Sequence, residues 1–294
     1  MKPVDFDLHQ PATLDAALAL LASHDDDARV LAGGQSLVPL LNFRLARPGH
    51  VVDIGRVAGL GELRETPDGL VVGAMVRQSR AERAPAVAAR CPLLAAALPW
   101  IAHPPIRARG TICGSLAHAD PAAELPAVAV ALDATFVAAS TRGRREIAAA
   151  DFFQAHLTTA LRPDELLAAV RFPAAAPGTG AAFHEASRRR GDFAMAGVAA
   201  QVTVEDGAIA DTRICVSGVA GVPLRCTGSE QALLGSAADP AALRRAADAA
   251  LDILDPTDDL HATAGYRKHV AGVLLRRAVA EAYARATAAA WISA

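Results

Sequence analysis

The chain has 294 residues, 52% of them hydrophobic, which is ample for a substantial core and excludes a disordered polypeptide. Its 29 basic and 31 acidic side chains nearly cancel, so no electrostatic field favours nucleic acid or an anionic membrane. Cys91, Cys113, Cys215 and Cys226 form no Cys-x-x-Cys pair, which excludes a cysteine-held cluster or structural zinc site, and no other metal-ligand pattern is evident. The opening residues lack an apolar core of signal-peptide length, and charges or prolines interrupt every apolar run before it could span a membrane. A cytoplasmic protein with reduced thiols is expected.

Phe6 and Leu8 open a short extended segment that Pro11 ends. Thr13 can cap a helix in which Leu14, Ala17, Leu18 and Leu21 recur at helical spacing, and Asp25-Asp26-Asp27 stops it. Residues 29–32 predict a buried strand, Gly33-Gly34-Gln35-Ser36 a turn, 37–45 a second helix and 50–54 another strand. The G-x-G-x-x-G spacing is absent, so this turn is not a Rossmann fingerprint, and alone it fits a strand-to-helix turn without ligand. From Gly59 the chain predicts short strands around Pro67-Asp68-Gly69, then helices introduced by Ser79 and Pro92 that end near Trp100. A proline-stiffened lead-in, 101–109, delivers the chain to a second small-residue loop, 110–124, followed by an apolar helix over 125–132. Such loops suit a phosphorylated ligand, because glycine admits close backbone approach while free N–H groups and hydroxyls face its oxygens. A hairpin around Arg142-Gly143 and a strand over 166–172 follow, and 174–180 reads as a linker. Beyond it, 181–187, 196–204 and 208–217 predict three strands, with 240–254 and 262–289 helical.

Four motifs in order resemble those of the FAD-binding medium subunit of the molybdenum hydroxylases, the group that includes carbon monoxide, xanthine and nicotine dehydrogenases. They are Ala32-Gly33-Gly34-Gln35-Ser36-Leu37, Thr111-Ile112-Cys113-Gly114-Ser115, His118-Ala119-Asp120-Pro121-Ala122-Ala123-Glu124 and Arg190-Gly191-Asp192-Phe193-Ala194. The resemblance runs from the N-terminus to the last helix and implies an α+β fold. A two-lobed, PCMH-type FAD-binding module, 1–55 and 56–176, would precede a small domain, 177–294, with a three-stranded antiparallel sheet and helices.

The resemblance further implies that the two glycine turns hold the FAD pyrophosphate through backbone N–H groups, with hydroxyl donors from Ser36, Thr111 and Ser115. Glu124 would stand near the flavin, His118 and Asp120 would line the site, and Ile101 would pack beside the cofactor. Leu167 would sit at the isoalloxazine rim. His184 falls where other members can carry lysine, and Asp192 lies in the stretch that approaches the flavin from the C-terminal domain. Cys113 departs from a glycine found in many members and would be strained if its φ were positive. No residue is assigned as catalytic acid or base. The implied function is electron transfer from [2Fe–2S] clusters of a small subunit, through FAD, to a terminal acceptor, with substrate oxidised in a large molybdenum-cofactor subunit. A self-contained flavin oxidase and a non-redox nucleotide-binding module remain open as alternatives.

Overall fold

A computed structural model describes residues 2–292; Met1 and residues 293–294, included in the expected divisions, lie outside the described residues. The chain opens with strand β1 (Asp7–His9), helix α1 (Leu14–His24) and strand β2 (Ala28–Leu31). Thr13 is extended and its hydroxyl accepts the Ala16 amide at 3.2 Å, so α1 begins where its cap predicts and buries Ala17, Leu18 and Leu21. A short helix α2 (Leu37–Asn42) and strand β3 (His50–Asp53) complete a parallel sheet of order β1-β3-β2. Ala32 already belongs to the turn after β2, since the parallel pairing ends at Leu31 opposite Asp53.

The next segment builds a five-stranded antiparallel sheet of order β4-β5-β10-β6-β7. Its strands are β4 (Leu63–Thr66), β5 (Gly69–Gly73), β6 (Thr135–Ser140), β7 (Gly143–Ala148) and β10 (Leu166–Pro173). Between β5 and β6 run helices α3 (Gln78–Arg83), α4 (Pro85–Arg90), α5 (Pro92–Ala97), α6 (Pro104–Arg109), α7 (Ile112–His118) and α8 (Glu124–Ala131). A turn of helix, α9 (Ala149–Phe152), and a small hairpin, β8 (Phe153–Ala155) and β9 (Thr158–Thr159), lead to β10. The lead-in 101–109 contains α6, because Pro104 and Pro105 sit in its first turn, where no N–H is needed. The expected loop 110–124 contains α7, whose weak intrinsic helix formers are overruled by burial of Ile112, Cys113 and Leu116.

The last part contains β11 (Thr179–Ala186), β12 (Ala196–Glu205), β13 (Ala208–Ser217), β14 (Leu224–Arg225), α10 (Thr227–Leu233), α11 (Pro240–Leu251) and α12 (Ala264–Ile292). The sheet is antiparallel with order β11-β12-β13-β14, four strands where three are expected. The added strand is only two residues long, too short to carry a pattern of its own. The inner strand β12 is covered on both faces: Val198, Ala200 and Val202 pack towards α12, while Ala199 joins the core shared with α5 and α8. Among the described residues, no helix is long and apolar enough to cross a membrane.

Candidate functional site

The two glycine loops meet. The turn after β2 and the start of α7 line one cleft of about 1000 Å³, which lies at the upper end of the ~300–1,000 Å³ range of small-molecule sites. Gly33 makes the contact possible: a Cβ there would lie 2.6 Å from the Arg109 carbonyl oxygen and 2.9 Å from Gly110 Cα. Gly34 turns the chain with φ +73°, in the left-handed region that side chains avoid. Among the described residues, the N–H groups of Gly33, Gly34, Gln35 and Ser36 have no hydrogen-bond acceptor. Four consecutive free donors at a cleft form a concavity suited to an anion.

The second loop is anchored differently. Thr111 caps α7, its hydroxyl oxygen accepting the Gly114 N–H at 3.0 Å, while the Ile112 N–H reaches the Val76 carbonyl at 3.1 Å. Gly114 N–H is therefore spent on the cap, and among the described residues the Cys113 N–H finds no acceptor. Ser36 and Ser115 also line the cleft. Cys113 is helical, so the anticipated strain does not arise. Its thiol is buried against the Val72 carbonyl at 3.5 Å, and burial pushes it up to about 12, which makes it an inert packing group.

Ile101, Leu167 and Asp192 also border the cleft, as do Ala32 and Leu37 beside the glycine turn. The Ile101–Ala102 bend, where Ala102 has φ +40°, is held from below by buried Arg107. The Arg107 guanidinium donates to the Ile101 carbonyl at 2.8 Å and the Ala102 carbonyl at 3.2 Å, and grips Glu82 through Nε to Oε2 at 2.9 Å and through its second terminal nitrogen to Oε1 at 3.1 Å.

Three titratable groups face the cleft close together. Burial pushes the Glu124 carboxyl up to about 7, with Asp120 adding to the rise and its backbone amide and Arg107 opposing it. Burial also lowers His118, partly offset by Asp120 and reinforced by His156. Asp120 accepts the Ala122 N–H at 2.9 Å, which closes the turn between α7 and α8. Behind Glu124 stands Glu185 of β11, whose two oxygens are buried with no hydrogen-bond partner among the described residues. Burial, reinforced by Glu124 and opposed by Arg190, pushes Glu185 up to about 8.

His184 is the one expected site residue that the fold sets apart. It does not border the cleft; its Nε2 meets Glu281 of α12 at 2.6 Å, because neighbouring residues of a strand project to opposite faces and His184 takes the α12 side. Sequence reasoning also missed contributors. Gln78, Phe193 and the segment from Leu157 to Leu166 border the cleft, and Phe193 is 75% exposed there, an unusual cost for a large aromatic unless something covers it. The exposed aromatic beside Gly191-Asp192 was a signal in the sequence; Gln78 left none.

Comparison with known proteins places these features. The family pattern described as the FAD binding domain in molybdopterin dehydrogenase matches residues 4–175, and that described as the CO dehydrogenase flavoprotein C-terminal domain matches residues 181–282. The 6-hydroxypseudooxynicotine dehydrogenase complex subunit alpha of Paenarthrobacter nicotinovorans is 44% identical, with 97% of each chain covered. The caffeine dehydrogenase subunit beta of Pseudomonas sp. strain CBB1 is 42% identical, with 96% of each chain covered. Among solved structures, carbon monoxide dehydrogenase from Hydrogenophaga pseudoflava lacking the Mo-pyranopterin moiety superposes with a TM-score of 0.94 at 41% identity, covering 97% of this chain and 99% of that one.

Proposed function

This chain belongs to the family of FAD-binding subunits of molybdenum-containing dehydrogenases, and from that premise we propose that its cleft holds FAD between the two glycine loops. The observation that carries the assignment of residues is the run of unpartnered N–H groups from Gly33 to Ser36, pressed against Gly110 at the foot of α7. These donors, the Cys113 N–H and the Ser36 and Ser115 hydroxyls are the groups that would hold a pyrophosphate. Thr111 serves mainly by capping α7, and its O–H proton stays free to donate. Ile101 and Leu167 supply apolar wall, Phe193 and Asp192 stand at the C-terminal side, and partly protonated Glu124 can offer a hydrogen-bond donor or acceptor to a ring.

Bound there, FAD supplies the exchange between single electrons arriving from iron–sulfur clusters and electron pairs leaving for a terminal acceptor. The chain's own task is to bind, orient and tune it, with no acid or base step required of a side chain. The relatives are named as subunits of complexes, which supports a large molybdenum-cofactor partner and a small [2Fe–2S] partner for this chain too. The chain divides, in this reading, into lobes 1–55 and 56–176 and a domain 177–294, each with its own main sheet. Four free, buried thiols suit a reducing cytoplasm.

Purified protein is expected to be yellow, to release FAD on denaturation, and to bring down a molybdenum-bearing and a cluster-bearing chain from its host. Colourless protein that takes up no FAD on reconstitution would refute the assignment.

A further inference from the structure

A second constellation lies outside the cleft, at the other end of the parallel sheet. His9 closes β1, His24 closes α1 and His50 opens β3, and the three imidazoles converge. One ring nitrogen from each lies within 4.8 Å of the other two. His9 Nε2 stands 3.1 Å from His50 Nδ1, the His24 ring stacks on His50 with centroids 3.5 Å apart, and His9 and His24 centroids are 5.5 Å apart. Asp7, on the same face of β1 as His9, places Oδ2 at 3.8 Å from His50 Nδ1.

We infer that His9, His24 and His50 form a binding site for a divalent cation of borderline softness such as Zn²⁺, with Asp7 or water completing the coordination. Two nitrogens bound tetrahedrally at about 2.0–2.1 Å from zinc lie about 3.3 Å apart, so the His9 to His50 spacing needs little adjustment. The His24 ring turns off its stack to aim a lone pair at the same point. Three half-buried imidazoles drawn from separate elements offer lone pairs that a metal can take up together, in exchange for the His9–His50 hydrogen bond. Asp7 is exposed and free to swing, which lets it act as a fourth ligand or as an acceptor orienting His50.

The site would act as a clasp. It joins β1, the C-terminal end of α1 and the start of β3, and Ala28 of β2 pairs directly with His50. It therefore pins the end of the sheet opposite the Gly33 turn. This inference does not depend on FAD binding.

The test uses the full-length, FAD-loaded protein stripped of metal with a chelator and titrated calorimetrically with Zn²⁺ alone. One equivalent is expected to bind and to raise the melting temperature. His24→Gln and His50→Gln should each weaken binding by roughly 100-fold and abolish the thermal shift, since losing a direct ligand costs at least as much as losing a supporting one. His269→Gln, at an exposed position on α12, should bind as the parent does. Co²⁺ in place of Zn²⁺ should give the intense visible absorption of a four-coordinate ion in the parent and lose it in His24→Gln. No stoichiometric binding by the parent, or equal binding in the parent and His24→Gln, would overturn the inference. Should His50→Gln fail to fold, His24→Gln at the end of α1 decides alone.

Discussion

At the scale of single residues, Gly33 and Glu185 carry the sharpest consequences. A Cβ at Gly33 would meet backbone at Arg109 and Gly110, and backbone cannot step aside as a side chain can. Gly33→Val is therefore expected to force the two loops apart, and losing even one N–H bond to a charged oxygen weakens FAD retention by about tenfold or more. Flavin content after gel filtration measures it. At Glu185, burial raises the carboxyl from its ordinary 4.5 to about 8. Below the lower value both folded and unfolded chains hold the proton, so no penalty exists. Between the two, the unfolded chain has lost the proton while the folded chain keeps it, so stability declines steadily as pH rises and levels off above the folded value. Glu185→Gln cannot titrate, so its melting temperature should pull ahead of the parent's as pH is raised from 5 to 8. A constant offset across that range would show that Glu185 does not titrate in this way.

At the scale of elements, α6 and α7 are what the sequence concealed. Residues 101–124 read as loop because their prolines, glycines and short polar side chains are poor helix formers; burial against β5 and β10 outweighs that preference in α7, while α6 buries only Arg107 and packs on α3. One capping signal was read from the sequence, Thr13 before α1; the cap of α11, where the Asp239 carboxylate accepts from Ala241 and Ala242, emerges from the structure. Helix α6 positions the cleft through Arg107, which ties the Ile101–Ala102 bend to Glu82 on α3. Arg107→Ala leaves Glu82 without its partner and should cost about 3 kcal/mol in urea unfolding. It should also loosen the bend and lower FAD retention. Unchanged stability would mean that solvent replaces the guanidinium at little cost.

At the scale of the molecule, the sheet containing β12 belongs to two cores at once. Its one face contributes Ala199 and Phe183 to the core under α5 and α8, and its other contributes Val198 and Val202 to the core under α12. Neither core can melt without exposing the other side of the same strands. Calorimetry on the apoprotein is expected to show one cooperative transition, although two family patterns divide the chain. FAD at a hundredfold excess over its dissociation constant should add about 2.7 kcal/mol to that single transition. Two resolved transitions, of which FAD shifts only one, would show that the shared sheet does not couple the halves.

Patterns of local origin were written in the chain: the capped α1, the glycine turn after β2, the hairpins, the three long strands after the linker, and the four ordered motifs that name the family. Each rests on a backbone conformation or a periodicity that a few neighbouring residues fix among themselves. What only the folded chain decided is non-local. Gly33 faces Gly110 because the turns that follow β2 and α6 are brought together, Glu185 comes to stand behind Glu124, and His184, one residue along the same strand, is turned to Glu281 instead. His9, His24 and His50 likewise share a point in space with no spacing that announces it. Side-chain direction on a strand and proximity between distant segments are settled by packing, and packing is a property of the whole chain.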